Sequence, residues 1–257
     1  GQTHRDRGDC SRKGCQGMTP RLAWPLCALA GLTAMAASMA FGWIPGLAPC
    51  GPSGGLGSIM ALELARGPGE VGALFGNGAC RTMLVCAQLN ALLLDGLVFI
   101  PSYAAFLALG ALALRRAAPV ACQIAIAVVL VAALLDEIEE ALLYAILRAL
   151  PGSETVIDLL YWEARTKFAL LVLTGLLIAW GFISSRRLGL LAAVPMIGGS
   201  LFSAALIVAN MHAPMLMQGF VWSWTALLVA AIIGAFWPGA FSPPPGVRHR
   251  LRNRSGA

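Results

Sequence analysis

Asp136 and Glu140 stand four residues apart, so a helix would carry both on one face, with Tyr144 one turn further on. Glu139 lies beside them. Asp95 has apolar sequence on both sides, and a carboxylate inside a membrane is costly unless it is paired or hydrated. Grouped carboxylates can hold a cation, bind a small polar solute, or divide into a general acid and a general base. Few basic groups are available to offset them. Lys occurs only at Lys13 and Lys167, and Arg148, Arg165 and His212 complete the candidate counter-charges.

Other chemistries are poorly supported. Only three histidines exist, and His4 and His249 lie in the tails, which argues against multi-histidine iron and against bis-histidine haem between spans. No Cys-x-x-Cys motif occurs. The Gly/Pro loop from Pro49 to Ser58 lacks the Gly-Lys-Ser/Thr ending of a phosphate loop. Gly198-Gly199-Ser200-Leu201 lacks the final Gly of a rhomboid-like serine site, so Ser200 reads as a helix-packing residue. His212 with Asp136, Glu139 or Glu140 has metal-ligand types, but no spacing joins them, and neither a metal nor a cofactor is assigned.

The elements that position these groups are membrane spans. Apolar residues make up 58% of the chain and charged residues 12%, about half the share usual in soluble domains. The expected fold is all-α, a polytopic transmembrane helix bundle of about six spans. Residues 1–20 read as a disordered cytoplasmic tail, residues 21–241 as the helical domain, and residues 242–257 as a basic, Pro-rich cytoplasmic tail. Span one covers about Leu22 to Ile44, with a cleaved signal peptide as the alternative. Ile59 to Arg66 reads as a short interfacial helix and Gly67 to Gly78 as loop. Span two lies within Met83 to Leu114. Span three runs from Pro119 toward Leu150, span four from Thr166 to Ile183, span five from Leu188 to Asn210 with a kink near Pro195, and span six from Phe220 to Phe236.

Orientation follows from the basic residues. Placing both termini inside puts the N-terminal arginines, Arg115, Arg116, Arg186, Arg187 and the tail arginines on the cytoplasmic side. Cys50 and Cys80 then fall on the outer side, where a disulfide between them would persist. Cys27, Cys86 and Cys122 read as helix-packing thiols. An Arg-over-Lys, Ala/Gly-rich composition suggests a GC-rich bacterial genome and the bacterial inner membrane. The basic balance is explained by topology, so no nucleic-acid partner is assigned. The lipid bilayer is the partner expected, and protein partners are left open.

Depth brings the polar groups together. At about 1.5 Å per residue, Asp95 lies ~30 Å from Arg115, and Asp136 ~27 Å from Ala118. By the same rise, Arg165 and Lys167 lie ~30 Å from Arg186, and Asn210 and His212 ~33–36 Å from Leu188. Trp222 and Trp224 are expected at that level as an interfacial aromatic belt. Gln88, Asp95 and Ser102 form one stripe on span two, and Ser200, Ser203 and Asn210 another on span five. Such stripes face a bundle interior or a wet cavity. Two readings stay open. In one, span three leaves the membrane near Leu135 and the acidic residues are solvated. In the other, Asp95, Asp136, Glu139 and Glu140 line an outward-facing pocket.

Two segments carry a resemblance. Leu94-Asp95-Gly96-Leu97-Val98-Phe99-Ile100-Pro101-Ser102-Tyr103 resembles the Asp-x-x-Phe-Ile-x-x-Tyr pattern of small multi-pass bacterial membrane proteins of no assigned function. Leu135-Asp136-Glu137-Ile138-Glu139-Glu140 resembles the Asp-x-x-Glu-Asn that follows one span later. Phe99 is displaced by one place, and Glu140 stands where Asn is expected. The resemblance implies no activity, but it links Asp95, Tyr103, Asp136 and Glu139 as one set. The ligand-binding candidates are therefore Asp95, Tyr103, Asp136, Glu139, Glu140, Arg165, Lys167 and His212, and no catalytic residue is assigned. Three function classes follow: binding or transport of a cation or small polar solute, a membrane enzyme using a carboxylate pair, and a structural or accessory subunit. Binding or transport is the reading adopted.

Overall fold

A computed structural model describes residues 20–185 and 188–242. Cys10, Cys15, Arg186, Arg187 and the tail from Pro243 lie outside the described residues. Nine α-helices follow one another in the order α1 (Pro20–Phe41), α2 (Ser58–Glu63), α3 (Pro68–Phe75), α4 (Gly78–Leu94), α5 (Ile100–Leu114), α6 (Pro119–Arg148), α7 (Glu154–Ile183), α8 (Leu188–Ala209) and α9 (Leu216–Phe236) among the described residues. A π-helical turn, Asp95–Phe99, joins α4 to α5. The protein is all-helical, with six helices long and apolar enough to cross a membrane, as an integral multi-pass membrane protein requires.

The chain's own signals explain most boundaries. Pro119 opens α6 at a position where a missing N–H costs nothing. Ser153 caps α7, its hydroxyl accepting from the Val156 amide at 3.4 Å. That cap starts α7 at Glu154, twelve residues before the expected start of span four at Thr166. Residues 67–78, expected as loop, contain α3. Pro68 near its start and Gly76 past its end are the overlooked signals, and Val71, Leu74 and Phe75 are buried by it. Helix α8 runs through Pro195 to Ala209.

Two apolar cores result. The larger joins α1, α5, α6, α7, α8 and α9 and includes Trp24, Phe106, Phe182 and Leu227. The smaller sits beyond it, where α2, α3 and the start of α4 cover the ends of α6 and α7 through Leu62, Phe75, Leu84, Ile146, Ile157 and Leu160. This forms a cap on the bundle, and the bonded pair Cys50–Cys80 ties it to α4. Cys27 and Cys122 are buried, as expected of packing thiols, whereas Cys86 is exposed on the outer surface of α4.

Helices α8 and α9 approach closely at a pair of glycines. A Cβ on Gly199 would overlap the Gly219 carbonyl, and a Cβ on Gly219 would overlap the Gly199 carbonyl. Gly199 and Ser203 on α8, and Gly219 and Ser223 on α9, are each four residues apart. This is the small-residue spacing that lets membrane helices touch backbone to backbone.

Candidate functional site

Between the two cores lies a polar layer centred on Lys167. Its ammonium, on α7, is 2.8 Å from Asp136 Oδ1 and 2.6 Å from Glu139 Oε2, both on α6. Glu63 Oε2, at the end of α2, is 4.0 Å away. Tyr103 on α5 donates its hydroxyl hydrogen to Asp136 Oδ2 at 2.7 Å. Helices α6 and α7 lie side by side, so Asp136 and Glu139, three residues apart, both face the i and i+4 positions Glu163 and Lys167.

Four side chains of this cluster are almost wholly excluded from the surface: Lys167 and Asp136 are 5% exposed, Glu63 5% and Glu139 1%. Charges so enclosed persist only when paired. Pairing here is incomplete. Asp95, half-buried in the π-helical turn, lies beside Glu140. Glu163 lies beside Glu139. Asp136, Glu139 and Glu63 therefore face one lysine, with Asp95, Glu140 and Glu163 in the same layer. Asp95 Oδ1, Glu140 Oε2, Glu63 Oε2 and both Glu163 oxygens make no hydrogen bond, and Glu139 Oε2 meets Lys167 as an ion contact without hydrogen-bond alignment. Burial, reinforced by Glu139, pushes the Glu63 carboxyl up to about 8, with Lys167 opposing.

A cavity of about 190 Å³ opens on this layer. Glu63, Asp95, Asp136 and Lys167 form its polar wall, and Phe41, Phe99, Tyr103, Phe220 and Trp224 supply rings. The π-helical turn contributes both Asp95 and Phe99, and such turns are frequent at functional sites.

Of the residues singled out from the sequence, Asp95, Tyr103, Asp136, Glu139, Glu140 and Lys167 are brought together. Arg165 is not. Its guanidinium donates to the Tyr161 hydroxyl at 3.3 Å and lies over Trp162, because two residues along a helix from Lys167 is about 200° around it. Arg148 lies over Tyr144, three turns beyond Asp136. The His212 imidazole bonds the Leu64 carbonyl at 2.8 Å, which fixes the α8–α9 connection to the cap. Trp224 is turned into the cavity and stacks on Tyr103, while Trp222 remains outside against Phe202.

Glu63 and Glu163 were missed. Glu163 precedes Lys167 by four residues, a spacing that could have revealed it. Glu63 lies in the segment Ile59 to Arg66 expected as a short interfacial helix, found as α2, but nothing in the sequence says that this helix folds back over the bundle. Among the described residues no group of three or more His, Cys, Asp and Glu is arranged to hold a metal ion. No protein-family model, curated protein or solved structure matches this chain.

Proposed function

We propose that this protein binds, and moves across the membrane, a small cation or cationic polar solute taken up in the acidic cavity. One observation carries the reading: three carboxyls, Glu63, Asp95 and Asp136, and one lysine line the cavity, and Glu63 Oε2 and Asp95 Oδ1 lack hydrogen-bond partners. Buried carboxylates in a membrane need a cation, a proton or a basic partner. Lys167 supplies one positive charge, and a bound cation would supply another.

The linked set from the sequence resemblance supports the same site. Asp95, Tyr103, Asp136 and Glu139 all belong to the layer, and the one-place displacement of Phe99 falls in the π-helical turn, where each turn holds one more residue than an α turn. The cavity would face outward in a bacterial inner membrane with both termini cytoplasmic, since Arg115 and Arg116 lie at the opposite end of the bundle from the cap. Low alkaline phosphatase activity in a C-terminal fusion is the expected outcome, and high activity would reverse the orientation.

Calorimetry on nanodisc-embedded protein with tetramethylammonium tests binding. Saturable heat in the wild type, lost in Asp95→Asn, is expected. Absence of saturable heat in the wild type would refute the reading. Solute flux into proteoliposomes then distinguishes a transporter from a binding protein.

A further inference from the structure

The cavity continues past the carboxylates. A second compartment of about 190 Å³ adjoins it, and the two share Ser38, Phe99, Met217, Phe220 and Trp224. Five residues thus wall both compartments. One end carries the carboxyls and Lys167. The other runs between α1 and α9 over Phe106 and has no charged residue in its wall. Met35 on α1 and Val221 on α9 line it and are 48% and 53% exposed. On spanning helices such exposure faces hydrocarbon, so this end opens sideways toward acyl chains.

The chemistry of the two ends defines an occupant. At the polar end Glu63, Asp95, Asp136 and Lys167 line the cavity, so acidic side chains outnumber basic ones there, and Glu63, with 6% of its side chain exposed, has an Oε2 that makes no hydrogen bond and stands 4.0 Å from the Lys167 ammonium. Beside them Phe99, Tyr103 and Trp224 pack ring to ring with centroids 5.5–6.3 Å apart. Aromatic faces next to carboxylates are the recognition mode for substituted ammonium groups. An apolar arm leading to the bilayer would receive a hydrocarbon substituent on that nitrogen.

We infer that the cleft takes an organic ammonium carrying an apolar chain, with its head at Glu63 and Asp95 and its chain along the α1–α9 opening, through which it is reached from the bilayer. This deepens the cation reading and rests on it.

The test is an alkyltrimethylammonium series, from tetramethylammonium through the butyl, hexyl and octyl compounds, titrated into nanodisc-embedded protein. Empty nanodiscs correct for partition into lipid. Val221→Trp and Met35→Trp, at lipid-facing positions, fill the apolar arm from either side without touching the polar end. Affinity should rise up to about fourfold per methylene buried, as expected for transfer of a CH₂ from water. Both variants should keep wild-type affinity for tetramethylammonium and lose the chain-length increment. If the wild type shows no increment above empty nanodiscs, or both variants retain it, the inference falls while the cation reading stands. If tetramethylammonium does not bind the wild type, both fall.

Discussion

Along the α8–α9 seam, buried hydroxyls close their own accounts. Ser203 donates to the Leu216 carbonyl at 3.0 Å, Ser223 donates to the Met196 carbonyl at 3.0 Å, and Ser200 pairs with Ser223 at 3.3 Å. The backbones touch at Gly199 and Gly219, leaving no space between. Around Lys167 the arrangement is reversed. Charged groups crowd together, several carboxyl oxygens stay unbonded, and a cavity adjoins them. Both stripes look alike as isolated polar residues in apolar sequence. Their difference lies in hydrogen-bond satisfaction and free volume: a satisfied polar group in a dry seam joins helices, whereas an unsatisfied one beside a cavity can receive a ligand.

The comparison is broken most severely by removing the lysine. Lys167→Met leaves Asp136, Glu139 and Glu63 without their cation in a nearly dry site. Loss of one member of a buried pair costs about 3–5 kcal/mol. Thermal unfolding in detergent should show a large drop in Tm. A drop no greater than that produced by the serine substitution argued below would mean the layer is hydrated and loosely held.

The seam breaks by crowding. Gly219→Val directs a branched side chain at the Gly199 carbonyl and the Ser203 backbone. Overpacking of this kind costs about 1–3 kcal/mol. Because Gly219 lies outside the cavity wall, the expected signature is reduced stability with tetramethylammonium affinity retained. Loss of affinity at unchanged stability would show that seam and layer are coupled.

How far each region was legible follows from the same physics. Helical rise alone gives depth, so Asp95, Asp136, Glu139, Glu140 and Lys167 could be assigned to one level from counting. Facing requires the angle around the helix as well. Depth assigned Arg165 and Lys167 alike, yet only Lys167 points at α6. Trp222 and Trp224 divide for the same reason. The cap was the least legible region. Of its two helices the sequence indicates α2, within Ile59 to Arg66, but not α3, and Glu63 reaches the layer only because the cap folds over the bundle. The seam was half visible. Ser200 reads as packing from the sequence, but the matching Gly219–Ser223 spacing on α9 gains meaning only once α8 and α9 are neighbours.

A smaller effect should appear in pH dependence, and it sharpens the contrast from the layer's side. The Glu63 carboxyl is raised from an ordinary 4.5 to about 8, chiefly by burial. Between those values the folded protein keeps a proton that the unfolded chain has released. Stability should therefore decline as pH rises from about 4.5 to about 8. Glu63→Gln, neutral throughout, should make that decline shallower. Parallel curves of Tm against pH for wild type and variant would show that Glu63 is ionised in the folded state.

The smallest effect is expected where polar residues serve only to join helices. Ser223→Ala removes a hydroxyl that donates to the Met196 carbonyl and meets Ser200. That carbonyl belongs to α8, four residues before Ser200, so the side-chain bond crosses from one helix to the other. Interhelical hydrogen bonds of this type in membranes are worth about 0.6 kcal/mol on average, because the separated helices find other partners. The glycine contact beside it is unchanged by the substitution, and alanine is small enough to preserve the close approach. Ser223→Ala should thus lower Tm only slightly and leave both ligand affinity and the pH dependence as they were. A loss above about 2 kcal/mol would exceed the largest effect expected of such a bond. It would mean that the seam's hydroxyls hold the bundle as strongly as the ion pairs do, and the distinction between satisfied glue and unsatisfied site would fail at this position.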